Sequence, residues 1–146
     1  MRLAWALVLA VALVGLLSGC GLGQGQQTGF DYAGSWRGTL TDEVNGSGSV
    51  QATLQQAGHA LTGTWHAVMG GDAARQDGGT WAGEVFIGQD RDLLEVTLSP
   101  AVGGECSYRV TLARTNEALT GEYAATGASP TCTNLQRGTL QLSKQQ

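Results

Sequence analysis

Side chains able to do acid–base chemistry near neutral pH are few: the chain has two histidines, His59 and His66. His59 follows Gly58 in a turn between two strand-like runs, and His66 falls on the outward register of one of them. Neither has a Ser or Cys at a spacing that would make a nucleophile and its base, so both read as surface residues. Asp90-Arg91-Asp92 offers two acids of the kind a calcium loop uses, but the remaining ligands and the closing glutamate are missing. It reads as a solvated hairpin tip. Asp42, Asp72, Arg75 and Asp77 fall in polar stretches that simply keep the mouth loops wet or else gate a ligand or touch a partner. No phosphate-binding glycine loop, nucleophile elbow or pair of catalytic carboxylates is present. Neither an enzyme nor a cofactor or metal site is expected. What remains is aromatic: Trp36, Trp65, Trp81, Tyr108 and Tyr123 suit either an apolar pocket with the two phenols as polar handles, or a packed core.

The first twenty residues differ from the rest. Arg2 is the only charge before Asp31, and Leu3–Leu17 is a run of fifteen residues, all apolar or Gly. A bilayer span needs about 20. A positive start, a short apolar stretch and small residues before a break make an export signal. Leu17-Ser18-Gly19-Cys20 resembles the lipobox of bacterial lipoproteins. That resemblance implies removal of residues 1–19 and a diacylglycerol on Cys20. It leaves Cys106 and Cys132 as an even pair in an oxidising compartment, expected to be joined. Gly21 is not the aspartate associated with inner-membrane retention, so the resemblance implies the outer membrane where the host has one, and otherwise the outer face of the plasma membrane.

The formal charge of −4 becomes −5 once Arg2 is removed, which argues against nucleic acid as a partner. The membrane is expected to be reached through the lipid anchor. The mature 127 residues suffice for one domain. Gly21–Gly29 is Gly- and Gln-rich without periodicity, so 20–33 is expected to be a flexible tether and 34–146 the domain.

From Ser35 onward, short alternating runs separated by Gly, Asn, Asp and Ser predict eight strands. These are Ser35–Thr41, Ser49–Gln56, Ala60–Ala67, Gly79–Phe86, Leu93–Ser99, Cys106–Arg114, Ala118–Ala125 and Leu135–Ser143. TLQQAGHALTGTW from Thr53 and TLARTNEALTGEY from Thr111 align without gaps, so one hairpin occurs twice. GSWRGTL from Gly34 and GTWAGEV from Gly79 echo each other too. Gly38, Gly63, Gly83, Gly121 and Gly138 sit in mid-strand, each on the register of bulky i±2 neighbours such as Trp36, Leu61, Trp65, Trp81, Tyr123 and Leu140. Missing Cβ atoms on one apolar face allow tight curling. The expected fold is therefore an all-β, eight-stranded antiparallel up-and-down barrel, with a two-sheet sandwich as the alternative.

Ala33–Trp65, with its G-T-W and L-T-G-T-aromatic runs, resembles the opening strands of the avidin family, and ALTGEY resembles a later one. Small lipocalin-like barrels are an equal analogy. The resemblance implies the barrel shape and not the ligand. The biotin-binding asparagine is matched by Asp42, the tyrosine and serine by Trp65 and Ala67, and the tryptophan by Leu119, so the ureido group would go unpaired.

In such a barrel the turns at Ala57–His59, Ile87–Asp92 and Thr115–Glu117 share the end where the tether enters. The longer connections Asp42–Gly48, Val68–Gly78, Pro100–Glu105 and Thr126–Asn134 share the other. The expected function is non-catalytic binding at the long-loop end, of a small apolar ligand or an envelope protein. The alternative is a packed-core structural or inhibitor-like lipoprotein.

Overall fold

Strict alternation along the chain produces strands in which every second residue is buried. In Leu93–Pro100, Leu94, Val96 and Leu98 point inward while Leu93, Glu95 and Thr97 are exposed. The computed structural model describes residues 29–72, 76–101, 106–126 and 135–146. Its strands are β1 (Gly34–Asp42), β2 (Gly46–Ala57), β3 (Ala60–Met69), β4 (Gln76–Phe86), β5 (Leu93–Pro100), β6 (Ser107–Thr115), β7 (Ala118–Thr126) and β8 (Arg137–Lys144). Each pairs antiparallel with the next, and β8 returns to β1 with Leu140 opposite Leu40. The sheet is a closed barrel, not a sandwich, and one core fills it.

The glycines account for the closure. A Cβ on Gly38 would collide with the Gln141 carbonyl on β8, and one on Gly121 with the Thr111 carbonyl on β6. Gly63, Gly83 and Gly138 meet the backbone of an adjacent strand in the same way. The neighbouring strand thus lies where a side chain would begin, as a sheet rolled this tightly requires. All five positions lie on the inward register, as their neighbours predict.

The repeated hairpin turns at Gly58 and Asn116, equivalent positions in the two copies, with φ of 63° and 56°. Glycine adopts that conformation freely, and asparagine is among the few other residues that tolerate it.

Several boundaries differ from expectation. β3 runs on to Met69 and β4 begins at Gln76, so both ends of the expected connection Val68–Gly78 are strand. The β1–β2 turn is only Glu43–Asn45, because Asp42 pairs with Gly46 and the ladder continues through Ser47–Gly48. Backbone pairing needs no apolar side chain, so a Gly/Ser stretch that reads as loop can be strand. The domain also reaches back before residue 34. Tyr32 is 1% exposed and belongs to the core, with Phe30 packed against it. Cys20, Arg75 and Cys132 lie outside the described residues, while Cys106 is buried just ahead of β6.

Candidate functional site

The inward registers become polar where they reach the barrel ends. At the long-loop end, Asp42 continues the register of Trp36 and Leu40, and Asp77 that of Trp81 and Val85. At the tether end, Asp92 continues the register of Leu94, and Arg114 that of Leu112. All three tyrosines of the chain donate to these carboxylates: Tyr123 to Asp42 at 2.8 Å, Tyr108 to Asp77 at 2.7 Å and Tyr32 to Asp92 at 2.5 Å. Each end of the apolar core is therefore closed by Tyr–Asp hydrogen bonds.

The long-loop end gathers the residues singled out from sequence. Tyr108 meets Trp65 edge-on, with centroids 5.7 Å apart, and Tyr123 edge-on at 6.2 Å. The Trp65 indole points toward the Ser99 carbonyl at 3.4 Å. Asp42 is not a mouth-loop residue. It is 2% exposed, and one oxygen accepts from Tyr123 and the Gln136 N–H, the other from the Val44 and Asn45 N–H groups and the Asn45 amide. Burial by itself would raise its pKa. The bonds from Gln136, Tyr123, Asn45 and Val44 outweigh burial and hold the carboxyl below the ordinary carboxylate value. Burial, then the Asp42 bond, push the Tyr123 phenol far above its usual range, so it stays a donor. Asp77 is a half-buried β4 residue that also accepts from the Gly78 N–H. Of the three described acids singled out for the mouth, only Asp72 is exposed, just past the turn that follows β3.

The Asp42 cage also shapes the rim. It folds Glu43–Asn45 into a tight turn and leaves Val44 at its tip, 69% exposed.

Trp36 stands apart from this cluster. It lies near the tether end, stacks on Tyr32 with centroids 6.5 Å apart and donates to the Tyr32 carbonyl at 2.9 Å. The five aromatic residues are all interior, but they do not line one pocket. Trp81 is 1% exposed, and its indole nitrogen is the buried side-chain polar atom left without a partner among the described residues.

The tether end holds the network that sequence reasoning missed. Asp92 is not a solvated tip. It is buried and accepts from Tyr32 and, at 3.0 Å, from Arg114 Nε, which also reaches the Tyr32 hydroxyl at 3.1 Å. Burial opposes the Asp92 charge, but the Tyr32 and Arg114 bonds prevail and lower its pKa. Gln56 and Arg114 occupy equivalent positions in the repeated hairpin, and both hold Tyr32. Gln56 accepts its N–H at 2.8 Å, and each also donates to the carbonyl two residues on, Gly58 or Asn116. A visible signal was an arginine on an apolar register, which demands a carboxylate.

His59 bonds the Val85 carbonyl and His66 the Gln76 side chain, both as exposed residues. Among the described residues no three His, Cys, Asp or Glu side chains gather as a metal site. In comparisons with known proteins, no family model and no curated protein matches the chain.

Proposed function

We propose that this chain is an exported lipoprotein, acylated on Cys20 and bonded between Cys106 and Cys132, whose barrel binds an envelope protein through its long-loop rim. The reading is non-catalytic, and it puts the protein at the cell envelope, in the outer membrane where the host has one. The observation that carries rim binding is the state of the interior. Trp65, Tyr108 and Tyr123 are at most 5% exposed, and both phenols already bond protein carboxylates. Eight strands leave a bore that side chains can fill. Recognition then falls to the rim, where Val44 stands out. The anchor and the bonded pair rest on the lipobox resemblance, the even cysteine count and the burial of Cys106.

Intact mass of the mature protein tests the diacylglycerol and the disulfide together. Cross-linking in the host envelope tests the partner. A discrete adduct that Val44→Asp weakens tenfold or so, about 1.4 kcal/mol, supports rim binding, and an adduct indifferent to Val44→Asp refutes it.

One observation favours a small ligand instead: the unpartnered Trp81 indole N–H. A buried donor without an acceptor is costly, and an acceptor-bearing apolar guest would satisfy it. On that reading a hydrophobic fluorescent probe binds the parent and loses affinity in Trp81→Phe.

A further inference from the structure

Four large apolar residues are exposed among those described, and three of them meet at one place. Phe86 is 48% exposed, Ile87 43% and Leu93 39%. Phe86 ends β4 and faces Leu93, the first residue of β5, across the ladder, with Ile87 following in the connecting loop. The patch lies on the tether-end rim. A groove of about 760 Å³ joins it to the first described residues, with Gly29 and Phe30 on one wall and Ile87 on another. The chain therefore leaves the barrel beside its apolar rim.

We infer that this rim rests in the lipid surface that holds the anchor, so that Phe86, Ile87 and Leu93 enter the outermost apolar layer of the bilayer. The inference rests on the lipoprotein reading and adds the orientation of the domain. Eight residues separate Cys20 from Gly29. A Gly-rich segment of that length spans about 15–18 Å as a coil and about 30 Å at full stretch. An anchored barrel thus cannot move its tether-end rim far from the membrane, which makes the lipid a constant neighbour of the patch. Three exposed apolar side chains beside a fatty anchor add buried apolar area to the membrane contact and fix which face of the domain meets it.

Charge sets the depth. One pleat further from the rim, Glu84 and Glu95 stand directly opposite each other on the outer wall, both exposed. Immersing that pair, or the exposed Asp90 and Arg91 of the connecting loop, would bury charge, so only the three apolar side chains enter and the charges stay at the headgroups. The same pair makes a zwitterionic surface preferable to an anionic one.

The test places a reporter in the patch of the intact lipoprotein. Ile87→Trp and Val44→Trp proteins, each with acylation verified by mass, are reconstituted in phosphatidylcholine vesicles with and without acyl-chain bromine. The native Trp36, Trp65 and Trp81, at most 4% exposed inside the barrel, give the parent baseline. Emission added by Ile87→Trp should fall about twofold or more on brominated vesicles, and that added by Val44→Trp should not. Adding Phe86→Ser and Leu93→Ser should restore the Ile87→Trp signal. Unquenched Ile87→Trp on vesicles that carry the protein in flotation would overturn the inference. So would loss of quenching together with a dimer in detergent, which would assign the patch to a second copy. A mature mass without diacylglycerol removes anchor and inference together, and is distinguished because the protein then fails to float at all.

Discussion

At the scale of single residues, the barrel is held by positions that tolerate no side chain and by carboxylates that cannot lose their donors. Gly121 illustrates the first: an added Cβ would lie 2.9 Å from the Leu112 Cα as well as against the Thr111 carbonyl. Neither is the movable end of a side chain. Gly121→Ala should therefore destabilise by about 2–3 kcal/mol in urea unfolding. The neighbouring outward Thr120→Ala should stay within about 0.5 kcal/mol. Equal effects at the two positions would show that close strand approach is not what the glycine provides. The carboxylates illustrate the second rule, since each is matched by a tyrosine distant in sequence.

At the scale of elements, the segment Phe30–Ala33 acts as a strap across the tether end. It ties into β2 through Gln56, the β4–β5 loop through Asp92 and β6 through Arg114. The Arg114 and Lys144 cations both sit over the Phe30 ring, at 4.8 and 5.2 Å. The strap thus joins the repeated hairpins to the last strand, and Tyr32 is its pin. Tyr32→Ala should cost about 3–5 kcal/mol, the range for a large buried aromatic. Tyr32→Phe, which keeps the packing against Trp36 and removes only the hydroxyl with its bonds to Asp92 and from Arg114, should cost about 1.5–3 kcal/mol. Calorimetric unfolding distinguishes them, and a Phe variant as damaged as the Ala variant would mean that the hydrogen bond, and not packing, fastens the strap.

At the scale of the whole molecule, a closed ladder has no free edge, so the barrel offers no strand for edge-to-edge association. Its stability should nevertheless respond to pH from both sides. Asp42 and Asp92 have lowered pKa values in the fold. Their contribution is full above the ordinary carboxylate value near 4 and is lost as pH falls through the lowered folded values. Tyr32 and Tyr123 are raised from 10.0, so their contribution is full below that pH and is lost as pH rises through the folded values. Urea midpoints measured across pH should form a plateau between about pH 5 and 9 with a falling limb on each side. Asp92→Asn should flatten the acid limb. An acid limb unchanged in Asp92→Asn would assign it to other groups.

Much of this architecture was legible in the chain before folding. Period-two alternation identified the strands, a hairpin written twice gave their pairing, and five glycines among bulky inward residues implied a sheet closed on itself. Those signals are local: each lies within a few residues and follows from the pleat and from steric room. The extent of strand at Ser47–Gly48 was not legible, because a ladder is made by the backbone whatever the side chains. Nor were the polar closures of the core. Tyr32 and Asp92 are 60 residues apart, Tyr123 and Asp42 81, and Tyr32 and Arg114 82. The sequence by itself determined the eight strands and the apolar residues that face inward, and favoured a barrel over a sandwich. Only the tertiary structure decided which inward acids and phenols meet, because rolling the sheet shut is what brings its distant strand ends within hydrogen-bonding distance.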